Sequence, residues 1–437
     1  MNIQIFPCSI GGRLCAPPSK SMAHRSVLAA ALAEGTSPVQ NLAQSRDIQA
    51  TLAGVARLGA KITPTEGGVC ITGAGAPAHW CFDPARPVDC GESGSTLRFF
   101  IPVFSLTGDE VRFCGGGRLF SRPQQVYADL FAARGLEFAQ TEQGGVTLKG
   151  ALPAGDYTLP GDVSSQFITG LLYALPLLPG DSTITLTGKV ESRPYIDLTL
   201  SALADFGVTA RWLDERRLAV PGGQHYRPCP YRVEGDYSQA AFPAVLGAVC
   251  GGVAVTGLRP DSLQGDAAIL DILARCGANF TRTGDEVRFQ AAPLRATAID
   301  LAACPDLGPI LMVLGLFCEG DTVITNAGRL RIKESDRIAA MQEELAKFGG
   351  QVLAKGETVT VKGLGGALRA PTQPLNSHND HRVAMALSVA AWAAGLPACL
   401  EDAGAVAKSW PTFFADMAQG LDARWQEACP PAAGVKL

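Results

Sequence analysis

The chain has 437 residues, of which 47% are hydrophobic and 18% are charged. This length favours two domains over one, and the supply of apolar side chains excludes a largely disordered chain. The formal net charge of −4 excludes an overall basic field of the kind that binds nucleic acid or anionic membranes, so any anion-binding site must be local.

The thirteen cysteines are scattered along the chain, without the paired spacing of zinc sites. We therefore expect reduced, mostly buried thiols in a cytoplasmic protein. The first ten residues, MNIQIFPCSI, lack the basic segment of a signal peptide. The sequence holds no apolar run of about 18 residues, so it predicts no membrane span.

Six places combine a polar or acidic cluster with a following apolar run of helical length. The first is PPSKSMAHRSVLAAALAEG at residues 17–35, and the others contain GESGSTLRFF, GDVSSQF, EGDYSQAAFP, CPDLGPILM and HNDHRVAMA. Ser, Asp or Asn before an apolar run is typical of a helix start. One anchor residue marks each place: Ser21, Ser95, Ser165, Ser238, Gly308 and Asp380. Successive anchors are 74, 70, 73, 70 and 72 residues apart, and this period indicates six copies of one structural unit.

Short β-branched runs closed by Gly or Asn lie between the helix starts, for example GVTLKG and STITLTG, and such runs predict strands. Each unit therefore mixes helices with strands, and three units per domain give two similar α/β domains. We expect the chain to cross between the domains near residues 17–18 and 234–236.

The helix starts have two interpretations. If all six helices direct their N-termini toward the space between the domains, their dipoles make that space attractive to anions. The alternative is six ordinary capped helices whose Lys and Arg side chains face water. The repeat alone does not separate these two interpretations.

Residues that can bind anions or transfer protons cluster near these helix starts. They are, in chain order, Lys20, Ser21, His24, Arg25, Glu92, Ser93, Gly94, Arg98, Ser164, Ser165, Gln166, Asp306, His378, Asp380, His381 and Arg382. Further candidates elsewhere are Arg118, Arg122, Lys333, Glu334, Asp336, Arg337 and Lys408.

The residue types in this set limit the reactions that it could support. Lys333 and Arg337, four residues apart on a predicted helix, also fit an ordinary solvated salt-bridge face. The histidines lie outside metal-binding patterns, so no metal site is predicted. Many cations together with two carboxylates, Asp306 and Glu334, favour the joining of anionic small molecules by proton transfer.

Six motifs follow one another along the chain: SKSMAHR, GDVSSQF, SRPYIDLT, VEGDYSQA, IKESDRI and NDHRVAMA. On these motifs the chain resembles the 5-enolpyruvylshikimate-3-phosphate synthase family nearly end to end. The resemblance implies two domains, residues 18–234 and residues 1–17 with 235–437. It also implies three βαβαββ repeats per domain in an inverse α/β barrel, an active site in the cleft between the domains, and a monomer.

The implied reaction transfers the enolpyruvyl group of phosphoenolpyruvate to the 5-hydroxyl of shikimate 3-phosphate, by addition and then elimination of phosphate, with no cofactor. The resemblance implies that Asp306 accepts the hydroxyl proton, and that Glu334, with Lys20, transfers the proton at the methylene carbon. The residues implied to bind shikimate 3-phosphate are Lys20, Ser21, Arg25, Ser164, Ser165, Gln166, Ser192, Asp306 and Lys333. Those implied to bind phosphoenolpyruvate are Lys20, Gly94, Arg122, Arg337, Arg382 and Lys408.

Two positions depart from the family pattern. Glu92 stands in GESGST, where the family commonly has Asn-Ala-Gly-Thr, and it adds a negative charge beside the expected phosphoenolpyruvate site. We expect its side chain to point away from the ligand or to pair with Arg98. Arg329 stands where some members have an Asn that contacts shikimate, so that contact is not carried over.

Two other functions remain as alternatives. The family that transfers enolpyruvate to UDP-N-acetylglucosamine has Lys-Asn where this chain has Lys20 and Ser21, and it commonly has a Cys at the position of Gly117. A non-catalytic relative that binds phosphorylated metabolites would be expected to lose Asp306, Glu334 or Lys20, and this chain has all three.

Overall fold

The computed structural model describes residues 1–141 and 144–428, and the chain folds into two compact units. Pro18–Glu234 forms the first unit, and Met1–Pro17 joins the chain from Gly235 onward in the second. The predicted second domain runs to residue 437, and its residues 429–437 lie outside the described part. Among the helices of that described part, none is both long enough and apolar enough to cross a membrane.

The strands of the described residues are β1 (Ile3–Phe6), β2 (Gly12–Cys15), β3 (Thr36–Gln40), β4 (Lys61–Thr65), β5 (Gly68–Thr72), β6 (Val88–Asp89), β7 (Glu110–Cys114), β8 (Glu137–Thr141), β9 (Gly145–Lys149), β10 (Asp156–Pro160), β11 (Ser182–Thr187), β12 (Arg211–Trp212), β13 (Arg217–Val220), β14 (Tyr231–Arg232), β15 (Val253–Thr256), β16 (Asn279–Thr283), β17 (Glu286–Gln290), β18 (Ala298–Asp300), β19 (Asp321–Thr325), β20 (Gln351–Lys355), β21 (Thr358–Lys362), β22 (Leu375–Asn376), β23 (Ala398–Glu401) and β24 (Arg424–Glu427).

The α-helices of the same residues are α1 (Lys20–Leu32), α2 (Arg46–Ala56), α3 (Gly94–Ser105), α4 (Gln125–Ala132), α5 (Ser165–Ala174), α6 (Arg193–Asp205), α7 (Tyr237–Cys250), α8 (Ala268–Arg275), α9 (Gly308–Phe317), α10 (Arg337–Lys347), α11 (His381–Ala394) and α12 (Phe413–Leu421). Short 3-10 helices lie at Pro77–His79, Leu175–Leu177, Gly265–Ala267, Pro305–Leu307, Gly328–Ile332 and Ala403–Lys408.

One repeat shows the pattern that the others share. β6, α3, β7, α4, β8 and β9 follow one another, and their strands form a sheet in the order β6-β7-β9-β8. β6 runs parallel to β7, and β9 is antiparallel to both of its neighbours. The described residues contain six such four-stranded sheets, three in each unit. The predicted fold class, two similar α/β domains of three βαβαββ repeats, is confirmed.

Three sheets are completed by strands from distant parts of the chain. β2 pairs with β15 in the second unit, and β1 lies between β23 and β24 of the same unit. β14, at the end of the first unit, pairs with β3 near its beginning. Because each of these strands fills a position in a repeat, residues 1–17 belong to the second unit although they precede the first.

The first helix of each repeat forms the core of its unit. α9 is buried over its whole length, and α7 and α11 are buried over nearly all of theirs. In the first unit α1, α3 and α5 are buried to a similar extent. A helix that is apolar all round belongs inside a protein. The candidate residues on these helices lie within their first two turns.

Candidate active site

The first helix of each repeat in the first unit begins with a neutral serine cap. Ser19 accepts a hydrogen bond from the backbone N–H of Met22, Ser93 accepts one from Thr96, and Ser164 accepts one from Gln166. A serine satisfies a free N–H without adding negative charge. The partial positive charge of each helix N-terminus therefore stays available to an anion. Ser21, Gly94 and Ser165 lie in the first turns of these helices.

Lys20 and Asp47 form an ion pair at the start of α1. The Lys20 Nζ lies 2.8 Å from Asp47 Oδ2, and both side chains are largely buried. Asp47 lies in the first turn of α2. The carboxylate therefore holds the predicted catalytic ammonium at the junction of α1 and α2.

Arg25 is buried in the first unit, and its guanidinium donates hydrogen bonds to oxygen atoms of the protein. Its Nε donates to Thr199 Oγ1 at 3.0 Å, Nη1 to the Ser21 carbonyl at 2.7 Å, and Nη2 to the Tyr195 carbonyl at 2.8 Å. The guanidinium also lies over the Phe99 ring, and burial lowers its pKa. Most of its donors fix α1 to α6, so its role as a shikimate 3-phosphate ligand stays a prediction.

A buried polar chain joins the starts of α1, α2 and α3. His24 Nδ1 lies 2.7 Å from Thr51 Oγ1, which lies 2.7 Å from Thr96 Oγ1, and Thr96 donates to the cap Ser93. Burial, together with the charges of Lys20 and Arg25, holds the pKa of His24 well below its usual value. His24 is therefore neutral at physiological pH.

Arg98, an unexpected charge within an apolar helix, has partners in the first unit. Its Nη1 donates to Gln166 Oε1 and its Nη2 to the Pro123 carbonyl, each at 2.8 Å. The Gln166 amide in turn donates to Ser95 Oγ at 2.9 Å. The predicted ligand Gln166 is therefore held in one amide orientation at the N-terminus of α5.

Gly94 and Arg122 fit closely together. A Cβ atom added at Gly94 would lie 2.8 Å from Arg122 Nη1 and 2.9 Å from its Cζ. The guanidinium therefore rests on the first residue of α3, where any Cβ atom would force it to shift. A Cβ at Gly117 would overlap the carboxylate of Glu92, which places the Glu92 side chain against the glycine-rich loop that leads to Arg122.

Ser192 occupies an unusual backbone conformation at the start of α6. It is buried, and its φ of 54° lies in the left-handed region. Such a conformation is uncommon for a residue other than glycine and is often found at functional positions. Ser164 and Ser165 lie at the start of α5, which packs against α6.

Carboxylates, rather than serines, mark the helix starts of the second unit. Asp236 caps α7 and Asp380 caps α11, while Asp306 lies in the 3-10 turn that leads into α9. Three negative groups at helix N-termini are individually stabilised by the dipoles. Together they require cations nearby.

Arg337 joins two of these carboxylates, Asp380 and Asp306, to Glu334. Its Nε lies 2.8 Å from Asp380 Oδ2, its Nη2 lies 2.8 Å from Glu334 Oε2, and its Nη1 lies 3.4 Å from Asp306 Oδ1. The side chain is only 1% exposed. Burial alone would lower the pKa of Arg337, but the three carboxylates outweigh it and raise the pKa. The alternative interpretation of a solvated salt-bridge face is wrong, and so is the predicted shared helix, because Lys333 precedes α10 and Arg337 begins it.

Asp306 is the point where the cations of the second unit meet. Arg382 Nη2 lies 2.9 Å from its Oδ2, and Lys333 Nζ lies 3.2 Å from its Oδ1. Burial opposes ionisation, but Arg382, Lys333 and Arg337 outweigh it and hold the pKa of Asp306 well below its usual value. Asp306 is thus ionised, as a proton acceptor must be. Burial lowers the pKa of Lys333 to about 8, although Asp306 partly opposes the shift.

Lys408 approaches the start of α11 from another segment. Its Nζ donates to the Asn379 carbonyl at 2.6 Å, and the side chain is buried. His378 and Asn379 both have left-handed backbones, with φ of 52° and 53°. This bend turns the Asn379 carbonyl toward Lys408, and the ammonium therefore lies next to the helix that carries Arg382.

One group of side chains has the composition of a metal site. Among the described residues, Glu343, Glu344 and His378 bring their ligand atoms within 4.8 Å of one another. Glu344, however, is already paired with the Lys347 ammonium at 2.9 Å and accepts the backbone N–H of Asn376. The buried carboxylate is therefore neutralised by the protein itself.

The chain is similar to known proteins both in sequence and in fold. The model of the family described as EPSP synthase (3-phosphoshikimate 1-carboxyvinyltransferase) matches residues 7–417. The chain belongs to the EPSP synthase family. It is 42% identical over 421 residues to the 3-phosphoshikimate 1-carboxyvinyltransferase of Clostridium beijerinckii, covering 95% of this chain and 96% of that protein.

Two further relatives agree with this assignment to the EPSP synthase family. The 3-phosphoshikimate 1-carboxyvinyltransferase of Clostridioides difficile is 39% identical over 423 residues, covering 95% of this chain and 96% of that protein. The solved EPSP synthase of Acinetobacter baumannii matches with a TM-score of 0.79 at 26% identity, covering 97% of this chain and 99% of that one. The resemblance inferred from the sequence motifs is confirmed.

Within this EPSP synthase family member, the predicted site residues form two groups. The first unit brings together the polar groups at the starts of α1, α3 and α5, and the second brings Asp306, Lys333, Glu334, Arg337 and Arg382 into contact. Sequence reasoning missed Asp47, Thr51 and Thr96, since isolated polar residues on helices have many ordinary uses. His24 and Ser93 were the members of that network that the sequence had already marked as candidates.

Proposed function

We propose that the chain transfers the enolpyruvyl group of phosphoenolpyruvate to the 5-hydroxyl of shikimate 3-phosphate and releases phosphate. Membership of the EPSP synthase family supports this reaction. The observation that carries it is the cluster in which Lys333, Arg337 and Arg382 surround the Asp306 carboxylate. Such a cluster offers a base beside anion-binding groups. We further propose that the protein acts as a cytoplasmic monomer.

Both substrates carry one phosphate and one carboxylate, and a phosphate brings roughly −1.5 to −2 charges near neutral pH. We assign the phosphate of shikimate 3-phosphate to Ser164 and Ser165, whose helix N-terminus carries a neutral cap. The other residues assigned to this substrate are Lys20, Ser21, Arg25, Gln166, Ser192 and Lys333. The residues assigned to phosphoenolpyruvate are Lys20, Gly94, Arg122, Arg337, Arg382 and Lys408. Arginine suits this task because its planar fork donates two parallel hydrogen bonds to a carboxylate or phosphate.

The chemistry proceeds in two steps. In the addition, the 5-hydroxyl oxygen bonds to C2 of phosphoenolpyruvate as the C2–C3 double bond opens, Asp306 accepts the hydroxyl proton, and protonated Glu334 delivers a proton to the methylene carbon. In the elimination, the resulting methyl group returns a proton to Glu334, the C2–C3 double bond reforms, and the bond from C2 to the phosphate oxygen breaks. The departing phosphate takes the proton held by Asp306. Lys20 assists the transfer at this carbon.

Binding of the anionic substrates also changes the pKa of the proposed base, Asp306. In the substrate-free protein Asp306 is held by three cations, which makes it a weak proton acceptor. Oxygens of phosphoenolpyruvate compete for Arg382, and those of shikimate 3-phosphate compete for Lys333, when the two substrates bind. As these cations turn to the ligands, the pKa of Asp306 rises toward a value suited to general base catalysis.

The variants Asp306→Asn and Glu334→Gln test these roles. We expect each to lower turnover by roughly 10²–10⁴-fold, the usual contribution of a general acid or base. Titration calorimetry should show nearly unchanged binding of shikimate 3-phosphate, since neither change removes a phosphate ligand. Asp321→Asn, which alters an exposed ion pair with Lys362, is the matched control. Normal turnover in Asp306→Asn or Glu334→Gln would remove that residue from the mechanism.

A further inference from the structure

A line of hydrogen bonds runs from the start of α7 to Arg382. Ser238 Oγ donates to Asp236 Oδ1 at 2.6 Å, and Arg382 Nη2 donates to Ser238 Oγ at 2.9 Å. The same Nη2 also donates to Asp306 Oδ2 at 2.9 Å. Asp236, Ser238 and Arg382 are all buried. The line therefore connects the helix starts of α7 and α11 with the predicted base.

The direction of these bonds follows from the single proton of the Ser238 hydroxyl. Because that proton is donated to Asp236, the lone pairs of Ser238 Oγ are left to accept from Arg382. Asp236 is itself fixed, since its Oδ1 also accepts the backbone N–H of Gln239 as the cap of α7. The position of the Arg382 guanidinium is thus tied to the backbone of a buried helix.

The other end of the guanidinium points to a ligand. Arg382 Nη1 is buried and has no hydrogen-bond partner among the residues that the structure describes. Leaving a buried charged donor without a partner is costly. Nη2 donates hydrogen bonds to Ser238 and Asp306, whereas the N–H groups of Nη1 remain available to an anion.

The first unit contains a similar arrangement. Ser95, like Ser238, is the second residue of the first helix of its repeat. Its Oγ accepts a hydrogen bond from the Gln166 amide at 2.9 Å, as Ser238 accepts one from Arg382. In both units a repeat-anchor serine thus bonds to a predicted ligand residue in the first turn of the first helix of that unit's last repeat.

We propose that Ser238, fixed by Asp236, is a positioning residue that holds the Arg382 guanidinium so that Nη1 faces a carboxylate or phosphate oxygen of phosphoenolpyruvate. This inference rests on the proposed function for the identity of the ligand. It assigns Ser238 no contact with the substrate. The hydroxyl acts through Arg382 by limiting its rotation.

The variants Ser238→Ala and Ser238→Thr test the inference, with Ser388→Ala as control. Ser388 is a buried serine of α11 whose Oγ donates to the carbonyl of Ala384, so its loss matches Ser238→Ala in size and burial. A hydrogen bond to a charged group corresponds to on the order of tenfold in affinity. We expect Ser238→Ala to raise KM for phosphoenolpyruvate about tenfold and to leave KM for shikimate 3-phosphate within about twofold of the unsubstituted protein. Ser238→Thr, which keeps the hydroxyl, and Ser388→Ala should behave like the unsubstituted protein.

A second measurement separates this inference from the proposed function. Titration calorimetry with inorganic phosphate, with shikimate 3-phosphate present to fill the site at Ser164 and Ser165, reports the anion site at Arg382 without any turnover. We expect Ser238→Ala to weaken phosphate binding there about tenfold. If the unsubstituted protein shows no transfer, the proposed function fails and the phosphate titration alone decides the inference. Unchanged phosphate affinity in Ser238→Ala would overturn it. Equal rises of both KM values, or the same loss in Ser388→Ala, would overturn it as well, because they would indicate a general structural effect.

Discussion

The lowered pKa of Lys333 predicts an upper pH limit on activity. Burial lowers its pKa to about 8. The charges of Asp306 and Glu334 oppose this shift, whereas those of Arg329 and Arg337 add to it. The ammonium is charged below this pKa and neutral above it. Because the proposed role of Lys333 is to bind an anionic substrate, kcat/KM should be high below about pH 8 and fall above it. The profile of kcat/KM reports the substrate-free protein, which is the state that the structure describes.

The size of the effect follows from the titration. With a pKa of about 8, roughly nine tenths of Lys333 is charged at pH 7 and roughly one tenth at pH 9. kcat/KM should therefore fall roughly tenfold over these two pH units. The same shift affects stability with the opposite sign. The unfolded chain holds more protons between about pH 8 and 10.4, so the contribution of this group to stability rises with pH across that window.

Phosphate release at concentrations of both substrates well below their KM values, measured from about pH 6 to 10, is the assay. Lys333→Arg should move the decline to higher pH, because a guanidinium stays charged throughout this range. Lys362→Arg, at an exposed pair with Asp321, should leave the profile unchanged. A kcat/KM that is flat from pH 7 to 10 in the unsubstituted protein would refute the reasoning, as would a decline that Lys333→Arg does not move.

Three further substitutions have expected outcomes. Gly94→Ala places a Cβ 2.8 Å from Arg122 Nη1, so KM for phosphoenolpyruvate should rise roughly fivefold, or about 1 kcal/mol; an unchanged KM in steady-state assays would contradict this. Arg25→Lys loses several buried hydrogen bonds and should lower the free energy of unfolding by about 2–4 kcal/mol, which urea denaturation would measure. Asp380→Asn breaks a buried pair with Arg337 and should cost about 3–5 kcal/mol, seen as a melting temperature several degrees lower; an unshifted transition would count against the pairing.

The fold could be predicted largely from the sequence because its information is local. Each repeat carries its own helix start, such as Ser93 before α3 or Asp380 before α11, and each cap bonds to a backbone N–H two or three residues away. The spacing of these starts then indicated six repeats. The pairing of β1 with β23 joins positions nearly 400 residues apart, and its pairing with β24 joins positions more than 400 residues apart. No local pattern predicts such contacts.

The site was less predictable for the same reason. Arg25 bonds to Thr199, which is 174 residues away, so its protein partners could not be identified from spacing. Lys333 and Arg337 were four residues apart in a polar segment, which fits an exposed helix face equally well. Their burial depends on Asp306 and Asp380, which belong to other elements of the second unit.

Phosphate release from phosphoenolpyruvate by the purified protein tests the proposed function most directly. One reaction contains shikimate 3-phosphate as the acceptor and a second contains UDP-N-acetylglucosamine. We expect release only in the first reaction, and we expect Asp306→Asn to reduce it strongly. Release only in the second would contradict the proposed acceptor, and release in neither would contradict the proposed reaction as a whole.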